Sequence, residues 1–481
     1  MSSLRSRMTG GQQATADHGR FEHHTGDGPP AAHGAATRAV TAAHEAFGSW
    51  AALSPAERGS VFLQAAHLLM VRTGQIVQTM AAEAGSAGPW SAFNAKLAAQ
   101  ILIDAAAATA LPTGQVLPAP THGACSLHVR MPLGVVAAIT PRHAPLLLGA
   151  RAVALPLALG NTVVLKPSED APLSGGLLIH EVLTEAGLPD GVLGIVTHAP
   201  ADAAGVVHSL IADPRVRAVT FTGSTAVGRE VAVAAARHLK PAVLELGGKN
   251  SLLVLGDADI HYAALAAVVG SFLDAGQGCF STERVFVDRS LADDFLARVA
   301  ERVTAAAGEG PTWPAGVSGA MADSRAARRV SRLVADALAK GATAVTGTGA
   351  IEADGSSLAP VVLTDVTPDM DVWWEEIAGP VMVVHRVDSV EEAVALAGTP
   401  PFGLTAGVIT GDWAAGLDIA RRLPASAVHV NNRAVADEVR APLGHVADSG
   451  YGRHASHAGV EYFTEARWIT AGVAGRPEFP L

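Results

Sequence analysis

The 481-residue chain is predicted to be an α/β protein of two doubly wound α/β units with a small β element attached. Three observations predict this. From about Met131, short β-branched runs alternate with longer amphipathic stretches, the pattern of βαβ units around a parallel sheet. The alternation begins a second time near Asn250. The length also exceeds what one hydrophobic core supports, so more than one packed unit is expected.

Residues 1–34 are polar and lack the apolar stretch of a signal peptide, which argues against secretion; they read as a disordered arm. Within it Met8 to Gln13 resembles part of an expression tag, and His18, His23 and His24 have neither carboxylate nor cysteine partners at metal-ligand spacing, so no metal is expected. Ala35 to Leu111 is rich in Ala, Leu and Gln with helical periodicity, a helical lead-in packed on the first sheet. Pro112 to Pro120, with a further proline at Pro118, reads as a loop. The first unit takes residues 35–120 and 132–247. Its strands are expected at Gly134 to Thr140, Asn161 to Lys166, Gly191 to Thr197, Arg217 to Thr222 and Pro241 to Leu246. Helices are expected between them at Leu146 to Leu159, Leu173 to Ala186, Ala201 to Ile211 and Ala226 to Leu239.

The second unit takes residues 248–440. Its expected helices are Ile260 to Asp274, Leu291 to Ala307 and Ser324 to Lys340, and its expected strands include Val285 to Val287, Val361 to Leu363, Val381 to His385 and Ala427 to Asn431. Segments 121–131 and 455–481 remain outside both. Their β-like stretches, Cys125 to Met131 and Val460 to Val473, have no partner in either unit and are expected to pair across a symmetry axis in a homodimer or homotetramer.

Composition excludes several classes. The net charge is −11 and the 34 Lys and Arg residues are scattered, so there is no phosphate-backbone footprint and no nucleic-acid partner is expected. Charge-free apolar runs such as Ala152 to Leu165 are short of a bilayer span and contain Pro156 and Gly160, so no membrane segment is expected. Two cysteines, Cys125 and Cys279, rule out a disulfide framework and favour a reducing, cytoplasmic setting. Cys125, between Ala124 and Ser126, reads as a buried small hydrophobe.

Cys279 closes the flexible stretch Gly276-Gln277-Gly278-Cys279, which puts its thiol on an exposed turn. Upstream, Leu244-Glu245-Leu246-Gly247-Gly248-Lys249 sets a carboxylate at a strand end, where α/β sheets present ligands. A carboxylate near a thiol can act as general base, first toward the thiol and later toward the water that cleaves a thioester. Either motif alone has a bland reading: a structural cysteine, or a solvated strand-end charge.

Together with Pro132-Leu133-Gly134-Val135-Val136, Lys166-Pro167-Ser168-Glu169, Phe221-Thr222-Gly223-Ser224-Thr225, Glu375-Glu376-Ile377-Ala378-Gly379-Pro380 and Ser449-Gly450-Tyr451-Gly452-Arg453, these segments resemble the NAD(P)-dependent aldehyde dehydrogenases from about Ala35 to the C-terminus. Ser281-Thr282-Glu283-Arg284 and the stretch from Glu461 to Thr470 look most like the branch acting on aromatic aldehydes such as salicylaldehyde and vanillin. The resemblance implies an NAD-binding first unit, a catalytic second unit and a small β oligomerisation element. It implies that Cys279 attacks the aldehyde to give a thiohemiacetal and then a thioester, with Glu245 as general base and the Cys279 N–H as one oxyanion donor. Lys166, Ser168 and Glu169 would hold the adenosine ribose end of the cofactor. Gly223, Ser224, Gly228 and Leu246 would hold its pyrophosphate and neighbouring parts, and Glu376 the nicotinamide ribose. A carboxylate at Glu169 repels a 2′-phosphate, so NAD is expected ahead of NADP, with NADP still open. Arg142, Phe280, Ala378 and Leu443 would line the substrate pocket.

The resemblance breaks at several of these positions. The family's Pro-Trp-Asn-x-Pro reads Pro141-Arg142-His143-Ala144-Pro145 here, so the second oxyanion donor is His143, a neutral imidazole offering one donor where an amide offers two. An ordinary imidazole titrates near neutrality, so a pH-dependent rate is expected. Ala378 stands where an aromatic usually braces the nicotinamide, and Leu443 and His445 replace the usual Phe and Gly. Two functions stay open: oxidation of an unusual aldehyde, aromatic or bulky, and a dehydrogenase-fold protein with impaired or redox-neutral thiol chemistry.

Overall fold

In the computed structural model, residues 28–84, 86, 88–119, 124–307, 321–432, 438–442 and 444–472 are described. The first sheet runs in the order Gly450–Tyr451, Ala242–Glu245, Val216–Thr222, Val135–Ile139, Thr162–Lys166, Leu193–Ile195, parallel except for the first strand. Val135–Ile139 and Thr162–Lys166 are buried at every residue, which is why they read as continuous apolar runs without alternation. From Val135–Ile139 the chain crosses to Thr162–Lys166 on one side, and from Val216–Thr222 to Ala242–Glu245 on the other. A crevice therefore opens beyond the carboxyl ends of Val135–Ile139 and Val216–Thr222, the place where open α/β sheets take ligands.

The second sheet runs Thr343–Thr346, Val361–Thr364, Val381–Val387, Thr282–Asp288, Asn250–Val254, Thr405–Ile409, Ala427–Val430, parallel except for its first strand. The helix Ile260–Phe272 and a short turn lead directly into Thr282–Asp288, so Cys279 sits on the approach to a central strand. The helical lead-in closes the first sheet from outside. There Trp50 is fully buried and its indole N–H donates to the Leu157 carbonyl at 3.0 Å.

Five expectations need correction. A helix starts at Gly28, inside the segment read as a disordered arm, because the alanine-rich run behind it extends forward through prolines that a first turn tolerates; residues 1–27 lie outside the described residues. The loop read over Pro112 to Pro120 contains the strand Gly114–Leu117, which pairs antiparallel with Cys125–Pro132. Val460 to Phe463, read as the start of a β-like stretch, instead end the helix Ser456–Phe463, with Phe463 in the core of the first unit; the strand begins at Thr464 and pairs with Cys125–Pro132 from Thr464↔Pro132 to Ala471↔Cys125. The segments expected to lack partners thus build a three-stranded sheet within the chain. Cys125, on the central strand's end, is exposed rather than buried.

Candidate active site

A cavity of about 230 Å³ lies between the two sheets. Of the residues singled out from the sequence, it gathers Arg142, His143, Gly223, Ser224, Glu245, Leu246, Cys279, Phe280, Glu376 and Ala378. Lys166 ends the neighbouring strand Thr162–Lys166, Ser168 and Glu169 follow it, and Gly228 lies in the helix Thr225–Arg237; these four are not in the cavity wall. Leu443 lies outside the described residues.

The nucleophile candidate sits in a wound-up turn. Asp274, Ala275 and Gly276 all adopt positive φ (50°, 55° and 67°), a conformation that L side chains resist. Glycine is required at 276, where a Cβ would stand 2.3 Å from the Gly379 carbonyl oxygen and 2.6 Å from that of Ser271. Asn250, at the start of the adjacent strand, donates its amide N–H₂ to the carbonyls of Cys279 at 2.7 Å and Ser281 at 2.9 Å. With both carbonyls turned toward Asn250, the half-buried Cys279 presents its side chain to the cavity.

Glu245 ends the strand Ala242–Glu245 and is almost wholly buried. Thr222 donates to its Oε2 at 3.4 Å, while the Nε2 atoms of His445 and His454 stand 3.6 and 4.0 Å from its Oε1. Burial opposes ionisation of this carboxyl. His454, His445 and Arg151 outweigh it and hold the pKa below the ordinary carboxylate value. His454 is itself pushed down by burial and its Nε2 meets the Thr220 hydroxyl at 2.7 Å.

His143 lies at the head of the helix Pro145–Ala158, just before the left-handed Ala144. The residue is half-buried, but its Nε2 is enclosed and has no hydrogen-bond partner among the described residues, and burial together with Arg142 pushes its pKa down to about 4 despite Glu245. The ring is therefore neutral at physiological pH, and the expected titration of His143 near neutrality is corrected. The cause is desolvation, reinforced by a neighbouring cation and the positive end of a helix. Arg142 pairs with Asp323, which caps the helix Ser324–Ala339 of the second unit, and lies 3.3 Å from Asp170. It thereby spans the two units at the cavity rim.

On the opposite wall, Glu376 accepts from the Gly248 N–H at 3.4 Å, and a Cβ on Gly247 would strike its carboxylate at 2.1 Å. Burial and the charge of Glu283 push its pKa up to about 7. Ser224 caps the helix Thr225–Arg237 through the Val227 N–H, and a Cβ at Gly228 would lie 2.3 Å from Leu246, so glycine lets that side chain close on the helix start. Lys166 is buried, with burial lowering its pKa against Glu169, whose carboxylate is 3.8 Å away. Ser168 accepts from the Asp170 N–H at 3.3 Å in a tight turn. A buried lysine, a carboxylate, a capped helix start and a second carboxylate fit a dinucleotide with two riboses and a pyrophosphate.

Sequence reasoning missed Arg151, Gln277 and His454 as neighbours of the site, and the carboxylate Glu283 beneath it. Arg151 had a signal, being the one charge in the apolar helix Pro145–Ala158. His454 had none, since only the antiparallel return of Gly450–Tyr451 onto Ala242–Glu245 brings it to Glu245.

Comparison with known proteins bears on the family and the fold. The model of the "Aldehyde dehydrogenase family" matches residues 21–469. The chain is 47% identical over 435 residues to vanillin dehydrogenase of Pseudomonas sp. (strain HR199 / DSM 7063), covering 90% of this chain and 89% of that protein. Its fold superposes on a salicylaldehyde dehydrogenase from Pseudomonas putida G7, complexed with salicylaldehyde, with a TM-score of 0.89 at 36% identity, covering 93% and 92% of the two chains. It superposes on PnpE in complex with nicotinamide adenine dinucleotide with a TM-score of 0.87 at 31% identity, covering 92% and 91%. The chain belongs to the aldehyde dehydrogenase family.

Proposed function

We propose that the protein oxidises an aromatic aldehyde to its carboxylic acid with NAD, through a covalent adduct on Cys279. The observation that carries this is the cavity itself, where a thiol from one sheet faces a carboxylate and an imidazole from the other. Cys279 attacks the aldehyde carbon, and Glu245 or its hydrogen-bonded surroundings take the thiol proton. The oxygen of the adduct meets the Cys279 N–H and the neutral imidazole of His143, whose unpartnered Nε2 is enclosed against the cavity. A bound nicotinamide would supply the hydride acceptor that turns the thiohemiacetal on Cys279 into a thioester. Glu245 then removes a proton from water as that water attacks the thioester, releasing the acid and restoring the thiol. Lys166 and Glu169 would hold the adenosine ribose, the start of Thr225–Arg237 the pyrophosphate, and Glu376 the nicotinamide ribose. Glu169 places NAD ahead of NADP. The reading of impaired oxidation has no observation in its favour.

The aromatic preference is supported by the relatives' substrates and by the replacements at Arg142 and Ala378, which exchange aromatic bulk for a cation and a methyl group at the cavity wall. NADH formation over a panel of hydroxybenzaldehydes and aliphatic aldehydes tests it. At least about tenfold higher kcat/KM is expected on the aromatic members, a difference of about 1.4 kcal/mol in barrier. Equal or lower values on them would contradict it.

We also propose a homodimer or dimer of dimers built on the three-stranded sheet, in a cytoplasmic setting. Both outer strands, Gly114–Leu117 and Thr464–Ala471, keep a free edge among the described residues and expose Val116 and Trp468. Among the described residues no helix is long and apolar enough to cross a membrane. Light scattering at micromolar concentration is expected to give at least twice the monomer mass.

A further inference from the structure

Glu283 is a buried carboxylate that the chemistry above does not use. It lies on the strand Thr282–Asp288, four residues beyond Cys279 (283 − 279). Its Oε2 accepts from the buried Lys249 ammonium at 2.6 Å. Its Oε1 accepts from two successive backbone N–H groups, Ile377 at 2.7 Å and Ala378 at 3.0 Å. Lys249 in turn donates to the Glu375 carbonyl at 2.6 Å, and Arg329 donates to the carbonyls of Glu376 and Ile377. The backbone on both sides of Glu376 is thus tied down, through the left-handed Ala378, while the Glu376 side chain turns toward Gly247 and Gly248.

A buried ion pair contributes little net stability unless its remaining donors and acceptors are satisfied. Here each partner spends its spare hydrogen-bonding capacity on the same short loop. Such a pair serves geometry more than stability. We propose that Glu283 is the positioning residue of the Glu376 loop, tying it to the strand that leaves Cys279 so that the cofactor-ribose carboxylate and the nucleophile keep one geometry. This rests on the reading of Glu376 as the nicotinamide-ribose residue. Charge follows position. Glu376 is faced by Glu283, Lys249, Arg329 and the Gly248 N–H, and the Glu283 charge helps to raise its pKa toward 7.

NAD affinity of the full chain, measured by calorimetry as a function of pH, and alkylation of Cys279 by iodoacetamide without cofactor together test the proposal. Glu283→Gln keeps an oxygen for both N–H groups but removes the charge. Its NAD affinity at pH 8 is expected within about threefold of wild type, while the pH midpoint at which affinity falls moves lower; a loosened fold would weaken affinity without moving that midpoint. The double change Lys249→Met with Glu283→Leu removes the pair without stranding a charge. It is expected to weaken NAD binding about tenfold or more, leaving Cys279 alkylation at the wild-type rate. Wild-type NAD affinity in the double variant, or an unmoved midpoint in Glu283→Gln, would overturn the proposal. If the double variant gives no cooperative melt, the midpoint decides alone. Glu376→Gln separates the two readings: unchanged NAD affinity there removes the ribose role and this proposal with it, whereas weakened affinity there beside wild-type behaviour of both Glu283 variants removes the proposal only.

Discussion

Two carboxylates face the cavity from opposite sheets, Glu245 buried and Glu376 half-buried, and their surroundings drive them apart. Glu245 is ringed by His454, His445 and Arg151 and is held below the ordinary carboxylate range. Glu376 has the Glu283 charge nearby and only a long bond from the Gly248 N–H, and it is pushed up to about 7. Burial acts in the same direction on both. Neighbouring charge decides the outcome, and it suits the roles proposed above: a base that stays ionised on one wall, and on the other a hydrogen-bonding group that gains and loses a proton near neutrality.

The largest test of that contrast is to remove each carboxylate in turn. Glu245→Gln is expected to lower turnover by roughly 10³, with NAD affinity unchanged, because general-base help is lost while the cofactor side is untouched. Glu376→Gln is expected to weaken NAD binding about tenfold, as a charged hydrogen-bond acceptor becomes a neutral one. Equal effects of both changes on NAD affinity would erase the distinction between the walls.

A smaller effect follows from pH. As pH falls through about 7, Glu376 takes up a proton and loses acceptor strength, so NAD affinity is expected to decline there in the native protein. The Glu376→Gln variant should be flat over the same range. Glu245, with its pKa lowered, stays ionised throughout, so any acid limb shared by the two proteins cannot come from it. Calorimetric titration between pH 5.5 and 8.5 reads this directly.

The smallest effect concerns His143. A neutral imidazole with one donor is a partial replacement for an amide, so His143→Asn is expected to raise kcat on benzaldehyde about fivefold, well short of the 10² to 10³ that a missing oxyanion donor costs. Because burial keeps the ring neutral down to about 4, the two pH–rate profiles should coincide near neutrality. A limb near 6.5 in the native profile alone would show that the ring is less enclosed than described.

Most of the parallel framework was legible because buried parallel strands leave an unmistakable apolar run, as in Val135–Ile139 and Thr162–Lys166. Cys279 and Glu245 were legible as motifs at strand and helix ends. Thr405–Ile409 was not: TAGVI is short and glycine-containing, and its pairing with Asn250–Val254 on one side and Ala427–Val430 on the other makes it an interior strand. Gly114–Leu117 was hidden by flanking prolines, although a hydrogen-bonded edge of a few residues needs little propensity of its own. The His454–Glu245 approach and the Glu283 tie join residues 209 and 94 positions apart (454 − 245 and 377 − 283), a distance over which local pattern carries no information. Charge environment is the least legible layer. Nothing near Glu376 in sequence distinguishes it from Glu375, which remains half-exposed and pairs with Arg332.

The central claim is that Cys279 carries the acyl group and Glu245 releases it. Glu245→Gln, mixed with NAD and one equivalent of benzaldehyde, quenched and digested, tests this by mass spectrometry. A stoichiometric benzoyl adduct on the Cys279 peptide, formed together with one equivalent of NADH and persisting far longer than in the native protein, is the expected result. An adduct on Cys125 alone, or NADH formed with no adduct on Cys279, would contradict the account.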